Sequence, residues 1–131
     1  MIFIKKIKFR LKRFFLKNGV NLKKKKRGEN TWIGPFTILD GSGGLLIGSN
    51  CTISAGVQIY SHDTVEWAIS GGKKPYEYNR VVIEDNCYVG PNSIIQSGVI
   101  LKSGTIVGAN SFVNNSFLKG SKTLGNPAKS I

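Results

Sequence analysis

The chain has 131 residues and a formal net charge of +12, from 19 Lys and Arg against 7 Asp and Glu. Twelve of the cations fall in residues 1–27, which contain no Asp or Glu, so the other seven cations meet seven anions in a neutral body. A single domain with a modest core fits this length and a 40% hydrophobic content, disorder throughout is excluded, and no run approaches the roughly 18 apolar residues of a membrane span. Lys and Arg interrupt the first 17 residues too often for a signal-peptide core, so a cytoplasmic protein is expected.

Residues 1–27 read as a basic arm. Turned at about 100° per residue, Phe3, Ile4, Ile7, Leu11, Phe14 and Phe15 fall within an arc of about 120° and most cations occupy the rest, which predicts an amphipathic helix. Such a stripe has two uses. It can cap the open end of the body, or it can lie on an anionic membrane as a peripheral contact, with the basic run at residues 23–27 adding attraction. A nucleic-acid partner is not expected, because the body is neutral and carries no recognition module.

Residues 28–131 form the body, and a six-residue period organises it. Ile33, Leu39, Ile47, Ile53, Ile59, Ile83, Val89, Ile95, Leu101, Val107 and Val113 share one phase. Four positions after an aliphatic residue the side chain is small or β-branched, at Thr37, Cys51, Val57, Cys87, Ser93, Val99, Thr105 and Ser111. A helix needs a period of 3.6, and a sandwich strand alternates over a longer run before turning. Short β segments that turn every six residues instead predict an all-β solenoid of triangular section, about 18 residues per coil and three to four coils, with aliphatic side chains stacked inside.

The register slips twice, once by two residues around Ser42, Gly43 and Gly44, and once at residues 60–80, which separate Ile59 from Ile83 by 24 positions. The second slip predicts a long loop leaving the solenoid, and long loops in economical folds often build sites. It carries Tyr60, His62, Asp63, Trp67, Tyr76 and Tyr78, and His62 is the only histidine of the chain. On residue type alone a lone histidine is more often structural or solvated than catalytic. A zinc site built from several histidines cannot be assembled within one chain, and the chain lacks the histidines a carbonic anhydrase would need. If the loop leaves and rejoins one coil, Cys51 and Cys87 become neighbours in an inward column, where two packed thiols are favoured over a disulfide.

The hexads Ile47-Gly48-Ser49-Asn50-Cys51-Thr52, Val89-Gly90-Pro91-Asn92-Ser93-Ile94 and Val107-Gly108-Ala109-Asn110-Ser111-Phe112, with the closing Gly125-Asn126-Pro127-Ala128-Lys129, resemble those of the hexapeptide-repeat acyltransferases. The resemblance covers about residues 30–131. It implies a left-handed parallel β-helix, a homotrimer, and an acyl-CoA lying between neighbouring helices. It further implies a transferase of the sugar or polysaccharide acetyltransferase type using acetyl-CoA as donor, with no metal.

The resemblance makes His62 the general base. A thioester is already activated, so a held acceptor attacks it directly while an imidazole, with an ordinary pKa of about 6.5, takes the proton. Asp63 either orients neighbouring groups or binds the acceptor, although a side chain at i+1 in an extended segment points the opposite way. A backbone carbonyl is the alternative partner for His62. Tyr60, Trp67, Tyr88 and Asn92 are the further acceptor-side candidates, Tyr88 equally readable as an outward aromatic on a strand. Relatives offer an oxyanion a backbone amide where this chain has Pro91, which has no N–H; either an adjacent amide such as that of Asn92 serves instead, or the reaction relies mainly on positioning. The implied CoA contacts are Gly108, Ala109 and Asn110 along the pantetheine arm and Lys122, Pro127, Ala128 and Lys129 toward the nucleotide. O-acetylation of a sugar is preferred, with N-acetylation of an amino-sugar nucleotide as the alternative, and a non-catalytic trimeric scaffold as the reading from another class.

Overall fold

The computed structural model describes residues 29–131. The arm at residues 1–27, with its expected helix, lies outside the described residues.

Each aliphatic residue of the period ends a strand of two or three residues. The first coil contributes β1 (Trp32–Ile33), β2 (Ile38–Leu39) and β3 (Leu45–Ile47). The next contributes β4 (Thr52–Ile53) and β5 (Gln58–Ile59), then the loop with β6 (His62–Asp63), α1 (Val65–Ile69) and β7 (Glu77–Tyr78), then β8 (Val81–Ile83). There follow β9 (Tyr88–Val89), β10 (Ile94–Ile95), β11 (Ile100–Leu101), β12 (Ile106–Val107), β13 (Phe112–Val113), β14 (Lys122–Gly125) and β15 (Ala128–Ser130). The strands sort into three faces that the chain visits in rotation. Sheet 1 runs β1-β4-β9-β12-β14-β15, sheet 2 runs β2-β5-β10-β13, and sheet 3 runs β3-β8-β11 with Phe117 bridging Leu101 in parallel. All pairings in the three faces are parallel except β14 with β15, so the body is a parallel β-helix closed by one C-terminal hairpin.

The register explains the period. Ile33 pairs with Ile53, Ile53 with Val89 and Val89 with Val107, and sheets 2 and 3 stack Leu39 on Ile59 on Ile95 and Ile47 on Ile83 on Leu101. Ten of the eleven in-phase residues are buried, and Ile33, in the first strand, is packed against them. The residue before each of them points out, because successive side chains of a strand alternate. Thr37, Cys51, Val57, Cys87, Ser93, Val99, Thr105 and Ser111 are buried too, as the second inward position of each turn. Their hydroxyls are small enough to reach carbonyls of the turns: Ser93 Oγ and Ser111 Oγ both donate to Gly108 O, at 2.9 and 2.8 Å. Among the described residues no buried side-chain polar atom lacks a partner.

The prism has three edges. The first, between sheets 1 and 2, carries residues 34–37, 54–57, 90–93 and 108–111. The second, between sheets 2 and 3, carries residues 40–44, 60–80 and 96–99. The third returns to sheet 1 through residues 48–51, 84–87 and 102–105. Cys51 and Cys87 sit on that third edge, both free and buried, with the Thr52 N–H donating to Cys87 O at 3.0 Å. They are neighbours, as the period requires. Each thiol donates to a carbonyl, Cys51 to Glu84 O at 3.1 Å and Cys87 to Lys102 O at 3.3 Å. Contact with the Cys51 sulfur, together with burial, pushes the Cys87 thiol far above the usual thiol range.

Ile95 is fully buried between Ile59 and Val113. Ile95→Ala therefore removes a link of a stacked column and is expected to cost about 2–5 kcal/mol, measured as a shifted urea midpoint. In the folded protein Cys51 and Cys87 are expected to resist a thiol-specific disulfide reagent and to react only with unfolding.

Candidate functional site

Both slips of the period fall on the second edge, one coil apart. Leu39 and Ile59 are stacked partners, so the residues that follow them leave the prism side by side. The loop at residues 60–80 folds on itself: β6 pairs antiparallel with β7, with His62 opposite Tyr78 and Asp63 opposite Glu77, and α1 lies between them. The slip at residues 40–44 wraps beneath it.

Asp40 joins the two. Its Oδ1 accepts the Ser42 N–H at 2.9 Å, and its Oδ2 accepts the Ser61 N–H at 2.9 Å and faces His62 Nδ1 at 2.5 Å. Ser61 is fully buried; its Oγ donates to Asp40 O at 2.7 Å and accepts the Gly43 N–H at 2.8 Å. Gly43 has to be glycine, because a Cβ there would lie 2.0 Å from the Ser61 carbonyl oxygen. Ser42 Oγ lies 3.2 Å from the same ring nitrogen. Burial raises the Asp40 carboxyl, but hydrogen bonds from the Ser42 N–H, His62, the Ser42 hydroxyl and the Ser61 N–H outweigh it and hold the group well below the usual carboxylate range. An ionised carboxylate only accepts, so the neutral imidazole keeps its proton on Nδ1 and presents the Nε2 lone pair. The His62 side chain is 35% exposed, against 14% for Asp40. The geometry therefore offers a solvent-facing base held in one tautomer by a shielded anion.

Asp40 was not among the candidates read from the sequence. The signal was present in the two slips following the same rung of successive coils, which places Asp40 against the start of the loop. Asp63 occupies a different position: its Oδ1 accepts the Val65 N–H at 2.6 Å at the start of α1. Neither Asp63 nor a backbone carbonyl is the partner of His62 Nδ1.

The rest of the loop supplies walls. The Tyr78 ring centroid is 6.2 Å from that of His62, and Trp67 meets Tyr76 edge-on at 5.5 Å. Asp63, Val65, Glu66, Lys74, Pro75 and Glu77 line an open cleft of about 430 Å³, across which Lys74 Nζ reaches Glu66 Oε2 at 2.5 Å. Tyr60 is turned onto the prism, its hydroxyl donating to Gln58 Oε1 at 2.6 Å. Among the described residues no group of three or more His, Cys, Asp and Glu side chains could hold a metal ion, and no helix is long and apolar enough to cross a membrane.

The other candidates lie elsewhere on the prism. Asn92, Gly108, Ala109 and Asn110 are on the first edge, and Tyr88 and Lys122 project from sheet 1. One chain does not bring them to His62, because sheet 2 stands between the two edges. Two expectations need correction. The Asn92 N–H donates to Ala55 O at 3.0 Å in the turn-to-turn ladder of that edge, so it is not free to meet an oxyanion. Ala128 is 3% exposed, its methyl packed into the core opposite Gly125, which leaves Pro127 and Lys129 as the outward residues of the hairpin.

Comparison with known proteins adds two family models, the bacterial transferase hexapeptide (six repeats) over residues 80–115 and the hexapeptide repeat of succinyl-transferase over residues 28–61. Similar curated proteins include the 2,3,4,5-tetrahydropyridine-2,6-dicarboxylate N-succinyltransferase of Wolbachia sp. subsp. Brugia malayi (strain TRS), 36% identical over 70 residues, 53% of this chain and 22% of that protein. That of Rickettsia prowazekii (strain Madrid E) is 37% identical over 67 residues, 51% and 21%. Among solved structures, a maltose O-acetyltransferase from Clostridium difficile 630 matches with a TM-score of 0.70 and 29% identity over 79% of this chain and 56% of its own. The polySia specific acetyltransferase NeuO matches with a TM-score of 0.68 and 29% identity, covering 79% and 49%. AntD, an N-acyltransferase from Bacillus cereus in complex with dTDP and 3-hydroxybutyryl-CoA, matches at 0.69 and 25%, covering 77% and 58%. The match thus spans about a fifth of the curated relatives and about half of the solved structures.

Because the Asp40 carboxyl is held below its ordinary value of about 3.9, its contribution to stability is fully present above that pH and is lost as the pH falls through the lower, folded value. Asp40→Asn is expected to cost about 1–3 kcal/mol at pH 7, with the gap to the parent protein narrowing below about pH 4, in paired urea titrations.

Proposed function

We propose, from the premise that the chain belongs to the hexapeptide-repeat transferases, that it transfers an acyl group from an acyl-CoA to a sugar, with acetyl-CoA as donor and a sugar hydroxyl of a surface glycan or polysaccharide as acceptor. The observation that carries this reading is the Asp40–His62 pair, 2.5 Å apart at the mouth of the loop. It supplies the one thing a thioester acyl transfer needs from a side chain. The acceptor oxygen attacks the thioester carbonyl as its proton passes to His62 Nε2. The C–S bond then breaks, and the leaving thiolate takes the proton from the imidazolium, so His62 ends as it began. Asp40 keeps its charge throughout and stabilises the imidazolium, as a buried anion beside Nδ1 does.

The comparisons support the acyl-CoA and the sugar from two sides. AntD is solved with a CoA thioester and dTDP, and two neighbours are named as acetyltransferases of maltose and polySia. The N-acyltransferase among them favours a second reading, N-acylation of an amino-sugar nucleotide, on the same base and donor. The succinyltransferase relatives make a longer acyl group the variant to test.

In this reading the helix is left-handed and three copies stand side by side with a site at each junction. That arrangement answers the separation within one chain, since the first edge of one copy, with Gly108, Ala109 and Asn110, meets the second edge of the next, with its His62. Tyr88 and Asn92 then flank the acceptor, and Lys122, Pro127 and Lys129 lie toward the nucleotide end of the CoA. The protein works in the cytoplasm, and residues 1–27 either cap the open first coil or make a peripheral contact with an anionic membrane.

The test is thiol release from acetyl-CoA and succinyl-CoA against maltose, polysialic acid and a dTDP-amino sugar. His62→Ala is expected to lower kcat by about 10²–10⁴-fold while CoA affinity by calorimetry stays within about twofold, since only the proton transfer is removed. Undiminished turnover in that variant would overturn the assignment.

A further inference from the structure

The first edge contains one residue that does not belong there by the logic of the fold. Its turns repeat with the left-handed position taken by Gly56 (φ 72°), Asn92 (φ 58°) and Asn110 (φ 55°), residues that adopt positive φ at little cost. The first coil places Phe36 there, at φ 59°. The backbone ladder is the same at each level: the Gly56 N–H donates to Pro35 O, the Asn92 N–H to Ala55 O and the Asn110 N–H to Pro91 O, all at 3.0 Å. An aromatic side chain in this region is strained, because its Cβ crowds the backbone at positive φ. Burial does not offset the cost, because Phe36 is 88% exposed. Trp32 and Ile38, on the two strands that flank the turn, also point outward and are 51% and 41% exposed. Strained residues persist where a site uses them, and a ring displayed on a corner is placed to meet something outside its own chain.

We propose that Phe36 of one copy walls the acceptor end of the site built on His62 of the neighbouring copy, offering its ring to the apolar face of the sugar opposite Tyr78. The proposal rests on the side-by-side association given above. Within a single chain Phe36 and His62 stand on different edges with sheet 2 between them. Rotation about an axis along the prisms keeps every residue at its own height. The coil that carries Phe36 also carries Asp40, and His62 leaves the coil that follows. Higher on the same edge as Phe36 lie Asn92 and then Gly108, Ala109 and Asn110, the stretch assigned to the CoA. A donor descending that edge brings its thioester toward the level of His62, and the space below it, where the acceptor sits, is bounded by Phe36. An aromatic face fits a sugar ring there, because it offers a large rigid apolar surface while the hydroxyls stay free to reach the base.

Two variants and two measurements test this. Phe36→Asn puts at this turn the residue that Asn92 and Asn110 already use, so it is expected to fold and to raise the thermal midpoint. It should raise the acceptor KM by about tenfold or more and leave the acyl-CoA KM within about twofold, while Phe36→Tyr keeps the parent acceptor KM. Trimers co-assembled from Phe36→Asn and His62→Ala chains should regain sites with the parent acceptor KM, since a junction can pair an intact Phe36 from one variant with an intact His62 from the other. Independently of any turnover, a Phe36→Cys/Tyr78→Cys chain treated with a short bis-maleimide should give a ladder of covalent dimer and trimer. No ladder, or a monomer in solution, overturns the proposal whether or not an acceptor has been found. An unchanged acceptor KM in Phe36→Asn, or co-assembled trimers no better than Phe36→Asn alone, overturns it where turnover is measured. Failure of every acceptor with the ladder present would instead fall on the choice of substrate made above.

Discussion

The register of the parallel ladder is the constraint on which the rest of this protein depends. Ile53 sits on Val89 and Val89 on Val107, each at the constant spacing of about 4.8 Å that hydrogen-bonded strands impose. An inward position therefore holds only an aliphatic or a small side chain, and an inserted residue has nowhere to go but outward. Both insertions obey this. Residues 40–44 and 60–80 are pushed off the same edge, and neither disturbs the stacking of Leu39, Ile59 and Ile95.

Chemistry follows from that restriction. Because the two insertions start from stacked rungs, Asp40 and Ser61 begin within hydrogen-bonding reach, and the Asp40 carboxylate becomes the fixed point around which Ser42, Ser61 and His62 are arranged. The rigid prism supplies the precision and the insertion supplies the side chains. The ring of His62 faces outward on a short antiparallel pair, yet its Nδ1 is held by a group that belongs to the solenoid wall. Enzymes commonly place reactive groups on loops and their supports on regular structure; here one carboxylate spans the two.

The thiol pair and the corner residues illustrate the same economy. Cys51 and Cys87 occupy inward positions that elsewhere hold Val, Ser or Thr, and their sulfurs donate to carbonyls of the turns as the hydroxyls do. The corners turn with Asn or Gly, and Phe36 is the exception that the geometry of the coil alone does not justify.

The six-residue period by itself pointed to the solenoid and its inward columns, because a repeat whose length matches one face of a prism stacks its aliphatic residues inside; with a loop that leaves and rejoins one coil, it also made neighbours of Cys51 and Cys87. It also located the loop and singled out His62 as the only histidine. Tertiary structure alone decided what His62 touches. Asp40 is 22 positions away in sequence, and its neighbourhood depends on how a two-residue slip bends beneath a loop, which no period encodes. The same holds for Asn92, whose amide is taken by Ala55 only because successive turns stack, and for Asp63, whose carboxylate turns to the N-terminus of α1. The antiparallel return of β15 onto β14, which buries Ala128, breaks the repeat and so could not be read from it. Periodicity reports what is repeated along the chain. A site arises where the repeat is broken, and its contacts are set by the three-dimensional path of the break.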